Sequence, residues 1–313
     1  MRSRVLVTGK NGQIGQEITS LVPTLGGLNN YDFVFVARED ADLLDVNQVF
    51  KLISDLAPQY IIHTAAKVGG INYNIESSYK MLYENLILDS NVIRCALDLK
   101  VSNFIYFSSS CMYPINAKQP FTIDSIFKGP FELTNESYAI AKSTITKLLQ
   151  GIDLQNEVNF KVFVLSNLYG KYDNFNEVKS HAVAAAFNKV LKAKMSDSRQ
   201  VEIWGTGNPR REFTLAKDVA RFVLNSLPIL KSLPSSMNLG CGFDYSINEI
   251  YQIISEVLDY EVSFYYNNLM PDGVSSKLMD SSVAMKNFNW RPEKDLRNGL
   301  ISEMIPALSG DMK

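Results

Sequence analysis

Short apolar runs rich in β-branched residues alternate, through the first half of the chain, with longer stretches of helical period. Arg4-Val5-Leu6-Val7-Thr8 reads as a strand buried on both faces, and Gln13 to Val22 as a helix stopped by Pro23. Phe33–Val36, Tyr60–His63, Phe104–Phe107 and Lys161–Leu165 repeat the strand pattern. Val46–Leu56, residues 76–99 and Tyr138–Leu149 supply the helices between them, the longest with Leu82, Leu86, Ile93 and Leu97 at helical spacing. Strands alternating with helices require right-handed crossovers, so the expected fold is α/β: a Rossmann-type doubly wound parallel sheet.

After Tyr169 the rhythm changes. A helix over Val183–Ala193, a short strand at Val201–Gly205 and another at Met237–Leu239 lead to a polar tail around Tyr265–Asn268. These predict a smaller mixed α/β lobe. The expected division gives 1–168 and 213–242 to the Rossmann domain, and 169–212 and 243–313 to the smaller lobe.

Composition narrows the chemistry. The 313 residues carry 31 basic and 33 acidic side chains, so bulk charge points to neither nucleic acid nor membrane surface. No apolar stretch approaches the ~20 residues needed to span a bilayer, and a cytoplasmic protein is expected. Three cysteines, Cys95, Cys111 and Cys241, have no paired spacing, and His63 and His181 are the only histidines. That argues against a disulfide framework or a His-rich metal site, and no metal is expected. Cys95, Cys241 and His63 read as structural.

Gly9-Lys10-Asn11-Gly12-Gln13-Ile14-Gly15 follows the first strand and opens the first helix. Glycines at this spacing permit a tight turn and close approach of a pyrophosphate to helix-end amides. Arg38, after the second strand, stands where a 2′-phosphate would lie, with Lys10 nearby, which favours NADP(H). Glu39 and Asp40 point the other way, and Arg38 also suits a solvated surface charge.

Tyr138 and Lys142 are four residues apart on one helix face. A fixed ammonium there is expected to lower the phenol's pKa and fit it for acid–base work. Ser108-Ser109-Ser110 ends the preceding strand. Glycine loop, Tyr–Lys pair and serines together resemble the extended short-chain dehydrogenase/reductase family.

Within that family the chain is most similar to the GDP-4-keto-6-deoxy-mannose 3,5-epimerase/4-reductases, the GDP-L-fucose synthases. The likeness spans residues 4 to 292 and runs through Ser109-Ser110-Cys111-Met112-Tyr113-Pro114, Thr134–Lys142, Asn167–Gly170, Ser180-His181, Trp204-Gly205, Arg211-Glu212-Phe213 and Pro271-Asp272-Gly273. It implies Ser109, Cys111, Tyr138, Lys142 and His181 as catalytic. Cys111 and His181 would carry protons at C3 and C5, Tyr138 and Ser109 would hold the C4 oxygen, and Tyr138 would protonate it on reduction. Without the resemblance, Cys111 reads as a small buried residue and His181 as a helix-start histidine.

It further implies that Gly9, Lys10, Asn11, Gly12, Gln13, Ile14, Gly15, Arg38, Ser108, Ser109, Lys142, Leu165, Asn167, Leu168 and His181 hold NADP(H). Lys189 and Arg211 would meet the diphosphate, Trp204 would offer a stacking surface and Asp272 a polar contact. Two positions depart from the family pattern: Lys189 replaces an arginine and Asn11 a basic residue. Lys67 and Asn72 are sugar-site candidates or loop polarity. The partner implied is a GDP-linked 4-keto-6-deoxy-hexose, and the assembly a homodimer through the helices 76–99 and 138–149. An NAD-recycling nucleotide-sugar 4,6-dehydratase or 4-epimerase is the alternative, and an NADP-sensing scaffold ranks behind both. The acidic pair usual in dehydratases is missing after Cys111-Met112-Tyr113.

Overall fold

The computed structural model describes residues 2–155, 158–176, 180–293 and 295–307. The chain opens with β1 (Ser3–Thr8), α1 (Gln13–Leu21), β2 (Tyr31–Val36), α2 (Val46–Leu56) and β3 (Tyr60–His63). A short α3 (Ile71–Glu76) precedes the long α4 (Ser78–Asp98), and β4 (Asn103–Ser109), α5 (Glu136–Gln155) and β5 (Asn159–Leu165) follow. β1 to β5 join β9 (Ser236–Leu239) in a six-stranded sheet of order β2-β1-β3-β4-β5-β9, parallel throughout.

Period-2 alternation splits each strand between two cores. Leu6, Ile61, Phe104, Val162 and Val164 pack under α2, α4 and α5 with Val49, Ile53, Val92, Ile145 and Leu149. Val5, Val7, Ile62, Ile105 and Phe163 face the other way, against Ile18 and Leu21 of α1 and against Val219, Phe222 and Val223. Burial on both faces is why these strands read as unbroken apolar runs. Asp45 caps α2 by accepting from Asn47 N at 2.9 Å, and Ala57 ends it in the left-handed region before Pro58.

The second half supplies β6 (Asn167–Tyr169), α6 (Ala182–Met195), β7 (Gln200–Trp204), β8 (Arg210–Leu215) and α7 (Ala216–Ser226). After β9 come β10 (Asp244–Ser246), α8 (Ile247–Val257), β11 (Ser263–Asn267), β12 (Ser276–Lys277), α9 (Ser282–Asn287) and α10 (Leu296–Gly299). β8 is the hub, pairing with β6, β10 and β12. A third core of Val183, Phe187, Val190, Ile203, Phe213, Ile250 and Ile254 holds α6 and α8 over it.

The polar tail around Tyr265 contains a strand: β11 runs parallel to β7, Tyr265 opposite Glu202. One expectation needs correction. The helix expected over 76–99 is broken at Ser77, and its buried face carries Met81, Asn85, Leu88, Asp89, Val92 and Ile93. Leu82, Leu86 and Leu97 are only half-buried, because the face turned to the sheet holds two polar residues that an apolar stripe passes over.

Candidate functional site

Beyond the carboxyl ends of β1, β3, β4 and β5 lies a cleft of about 650 Å³, the size range of nucleotide-type ligand sites. Strand order reverses about β1, with β2 on one side and β3 on the other, and open parallel sheets bind ligands at such a switch point.

The glycine loop forms one end. Gly9 has φ +72°, and a Cβ there would lie 2.6 Å from the Ala65 backbone; a Cβ on Gly15 would lie 2.3 Å from the Gly9 carbonyl oxygen. Only glycine fits either place. Gly12, Gln13 and Ile14 line the cleft, where the buried Gln13 Nε2 has no partner. Lys10 N donates to Val36 O at 3.1 Å, which brings the loop beside the end of β2. There Arg38 is 78% exposed and only loosely paired with Asp42, and Asn11 Nδ2 reaches Glu39 at 3.4 Å. A glycine cradle, an orphaned amide and two basic side chains at the open end fit a dinucleotide with a 2′-phosphate.

Ser108, Ser109, Leu165, Asn167 and Leu168 line the floor. The Ser108 hydroxyl accepts from Thr146 at 3.0 Å and reaches Met112 Sδ, so its side chain serves the core. Ser109 Oγ accepts from Cys111 N at 3.4 Å. Cys111 is 5% exposed, in the turn behind Ser109, and is not among the residues that line the cleft. Burial raises its thiol pKa, opposed by the Ser109 hydrogen bond and the Lys277 and Lys142 charges.

Tyr138, Lys142 and His181 all line the cleft. His181 caps the N-terminus of α6, and burial lowers its pKa, so the ring is neutral at neutral pH. Tyr138 departs in direction from the expected lowering of its pKa. Its pKa is raised well above the ordinary value by burial, then by the charges of Cys111 and Asp89. The Lys142 Nζ donates to Tyr106 at 2.9 Å and stands 5.8 Å from the centre of the Tyr138 ring.

The far wall is basic and aromatic. Lys189, Trp204, Arg211 and Asp272 all line it. Lys189 Nζ lies 4.7 Å from the Trp204 ring centre and donates to Glu202 O at 3.0 Å. Arg211 is held by the Arg210 and Asp272 carbonyls. Burial lowers the pKa of both cations. Asp272 differs from expectation: both its oxygens accept from Thr206, at 2.7 and 2.8 Å, so it fastens the Gly205–Gly207 turn.

The sequence reading passed over Glu132 and Lys277, which line the cleft as an ion pair of 2.9 Å. Burial pushes the Glu132 carboxyl up, but Lys277, Thr134 and Arg211 outweigh it and hold the pKa low. No sequence spacing links residues so far apart. His63 was read as structural, yet it lines the cleft and bonds Asp89 at 3.0 Å. Lys67 is tied to Glu84 at 2.7 Å, and the side chain of Asn72 lies outside those described. Among the described residues no group of three or more His, Cys, Asp or Glu is placed to hold a metal.

A doubly wound sheet with a glycine cradle and a Tyr–Lys helix on one cleft defines a dinucleotide-binding α/β protein. More narrowly, the chain belongs to the NAD dependent epimerase/dehydratase family, whose pattern matches residues 5–240. It is 35% identical to the GDP-L-colitose synthase of Yersinia pseudotuberculosis over 298 residues, 95% of either chain. It is likewise 35% identical to the GDP-L-fucose synthase of Azorhizobium caulinodans, over 98% of this chain and 97% of that one. Among solved structures, a GDP-mannoheptose C4 reductase from Campylobacter jejuni with NADP bound superposes with a TM-score of 0.85, at 27% identity over 96% of each chain.

Proposed function

We propose that the protein carries out NADPH-dependent 3,5-epimerisation and 4-reduction of GDP-4-keto-6-deoxy-D-mannose to GDP-L-fucose, or of a closely related GDP-deoxy-sugar such as GDP-L-colitose. The observation that carries this reading is a single cleft lined by Tyr138, Lys142 and Ser109 on one side and by His181 with the cationic wall on the other. The names of the relatives, GDP-L-fucose and GDP-L-colitose synthases, support the substrate class.

A ketone at C4 acidifies the protons on C3 and C5. Inverting either centre needs a base on one face and an acid on the other, roles that the Cys111 thiol and the neutral His181 ring fit. Tyr138 and Ser109 would donate to the C4 oxygen and stabilise the enolate as it forms. NADPH bound in the cradle would supply hydride to C4. The Tyr138 phenol, kept protonated by its buried setting, then gives its proton to the C4 oxygen. Cys111 must gain access from behind Ser109, and Lys277 is the cation whose charge favours its thiolate.

Gly9 to Gly15 would hold the pyrophosphate, with Lys10 and Arg38 on the 2′-phosphate. Lys189 and Arg211 would exchange their carbonyl and carboxylate contacts for the GDP diphosphate. The lobe boundaries at 168, 212 and 242 belong to the same reading, with β9 completing the large sheet and β8 carrying Arg211. We place the enzyme in the cytoplasm; no helix among the described residues is long and apolar enough to cross a membrane. We also propose a homodimer through α4 and α5, which pack side by side through a Ser78–Ser137 bond of 2.6 Å and expose Tyr79, Tyr83, Leu148 and Leu154.

The test is incubation with NADPH and GDP-4-keto-6-deoxy-mannose. Stoichiometric NADPH oxidation with formation of a GDP-6-deoxy-L-sugar supports the reading. A dehydratase or 4-epimerase shows no net cofactor turnover, and that outcome rejects it.

A further inference from the structure

Lys142 is only 2% exposed, and its ammonium is claimed by groups that the chemistry above does not use. Nζ donates to the Tyr106 hydroxyl at 2.9 Å, lies 4.4 Å from that ring's centre and stands 3.6 Å from Asp89 Oδ2. The Tyr106 hydroxyl donates to the same Oδ2 at 2.6 Å, while His63 Nε2 lies 3.0 Å from Oδ1. His63 is braced in turn by the Thr8 hydroxyl at 2.7 Å, beside the glycine loop. Asp89, His63 and Tyr106 are all buried. Two strands, β3 and β4, and helix α5 thus converge on one carboxylate of α4.

We infer that Asp89 and Tyr106 are positioning residues for the reductive step: the Asp89 carboxylate, through the Tyr106 hydroxyl, fixes the Lys142 ammonium and keeps Tyr138 a protonated donor. The inference rests on the reading of Tyr138 as the proton donor to C4.

A cation so deeply buried needs a counter-charge. If the phenol supplied it, Tyr138 would be a phenolate with no proton to give. Asp89 supplies it from inside the fold instead. Burial pushes the Asp89 carboxyl up, but Lys142, His63 and Tyr106 outweigh it and hold the pKa below the usual range. The groups facing Asp89 are Lys142 from α5, His63 from β3 and Tyr106 from β4. Those acting on Tyr138 are Cys111 and Asp89, both raising its pKa.

Removing the Asp89 charge leaves the Lys142 charge uncompensated and favours phenolate at Tyr138. In Asp89→Asn the alkaline limb of the reduction profile therefore moves down by about one pH unit or more. Ultraviolet difference titration against Tyr138→Phe backgrounds reads the same phenol without turnover and shifts in the same direction. Asp89→Glu, which keeps the charge, restores both towards wild type. Should Asp89→Asn not fold, Tyr106→Phe keeps the ring, removes only the bridging hydroxyl, and shows a smaller shift of the same sign. A uniform loss of kcat with an unmoved limb overturns the inference. So does an equal shift in the Asn and Glu variants, or no shift in a folded Tyr106→Phe. Failure of the wild type to oxidise NADPH with the keto sugar would reject the proposed function alone, because the titration would still decide the role of Asp89.

Discussion

The two walls of the cleft are built on opposite principles. On the sheet side the polar groups are buried and satisfied by one another, Lys142 by Tyr106 and Asp89, and Asp89 by His63. On the lobe side the cations sit at the surface of the cavity, held by contacts that a ligand can replace: Lys189 by Glu202, Lys277 by Glu132, Arg211 by two backbone carbonyls. A preorganised wall costs no rearrangement when charge develops in a transition state. An exchangeable wall suits binding, where a diphosphate substitutes for carboxylates already in place. The difference teaches that chemistry and affinity are separable here, and it predicts which substitutions change kcat and which change KM.

The largest effect belongs to the sheet wall. Tyr138→Phe should lower the rate of NADPH oxidation by ~10²-fold or more with KM little changed, since it removes a donor used only as charge builds on the C4 oxygen. A raised KM with kcat preserved would break the contrast between the walls.

Arg211→Ala should do the opposite. If Arg211 meets the diphosphate as proposed, its loss is expected to raise KM for the nucleotide sugar ~10-fold or more with a smaller change in kcat, read from initial rates at saturating NADPH. If kcat fell by the larger factor, the lobe wall would have to be counted as catalytic.

The smallest effect is on stability, and it separates two carboxylates of the lobe side. Burial pushes Glu212 up to about 7, against the hydrogen bonds it accepts from Gly242 N and Met279 N. Its folded pKa exceeds its unfolded one, so the folded chain binds the extra proton and stability falls as pH rises from about 4.5 through 7. Glu132, held low, has the opposite sign: its contribution is present above the carboxylate range and is lost in acid. Unfolding free energies from urea melts at pH 5.5 and 8 should differ less in Glu212→Gln than in wild type, by on the order of 1 kcal/mol. An unchanged difference would remove Glu212 as the source.

Much of this was legible in the chain itself. The central sheet strands were visible because burial on both faces makes them nearly continuous apolar runs, the edge strand β2 because its aromatic and β-branched residues read as a strand even half-buried, and the glycine loop because its turn tolerates no side chain at Gly9 or Gly15. Trp204 and Arg211 came from the family resemblance, and both line the cleft. What escaped was set by distance or by polarity. Lys277 meets Glu132 only through the docking of β12 on β8. Asn85 and Asp89 occupy the buried face of α4, where hydropathy expects leucine, and that break in the stripe is the signal that marks the Lys142 support. The α8 helix escaped as well, although Ser246 and Glu249 close a capping box at its start.

The central claim is that one cleft holds two chemistries with separate proton carriers. It is tested most directly by running the reaction in deuterium oxide, reading deuterium at C3 and C5 by mass spectrometry beside NADPH oxidation by absorbance. In Cys111→Ser and His181→Asn exchange should fall by ~10²-fold or more while NADPH binding survives; in Tyr138→Phe deuterium should still enter although reduction fails. Wild-type exchange in both Cys111→Ser and His181→Asn would contradict the account, because neither residue would then carry the proton.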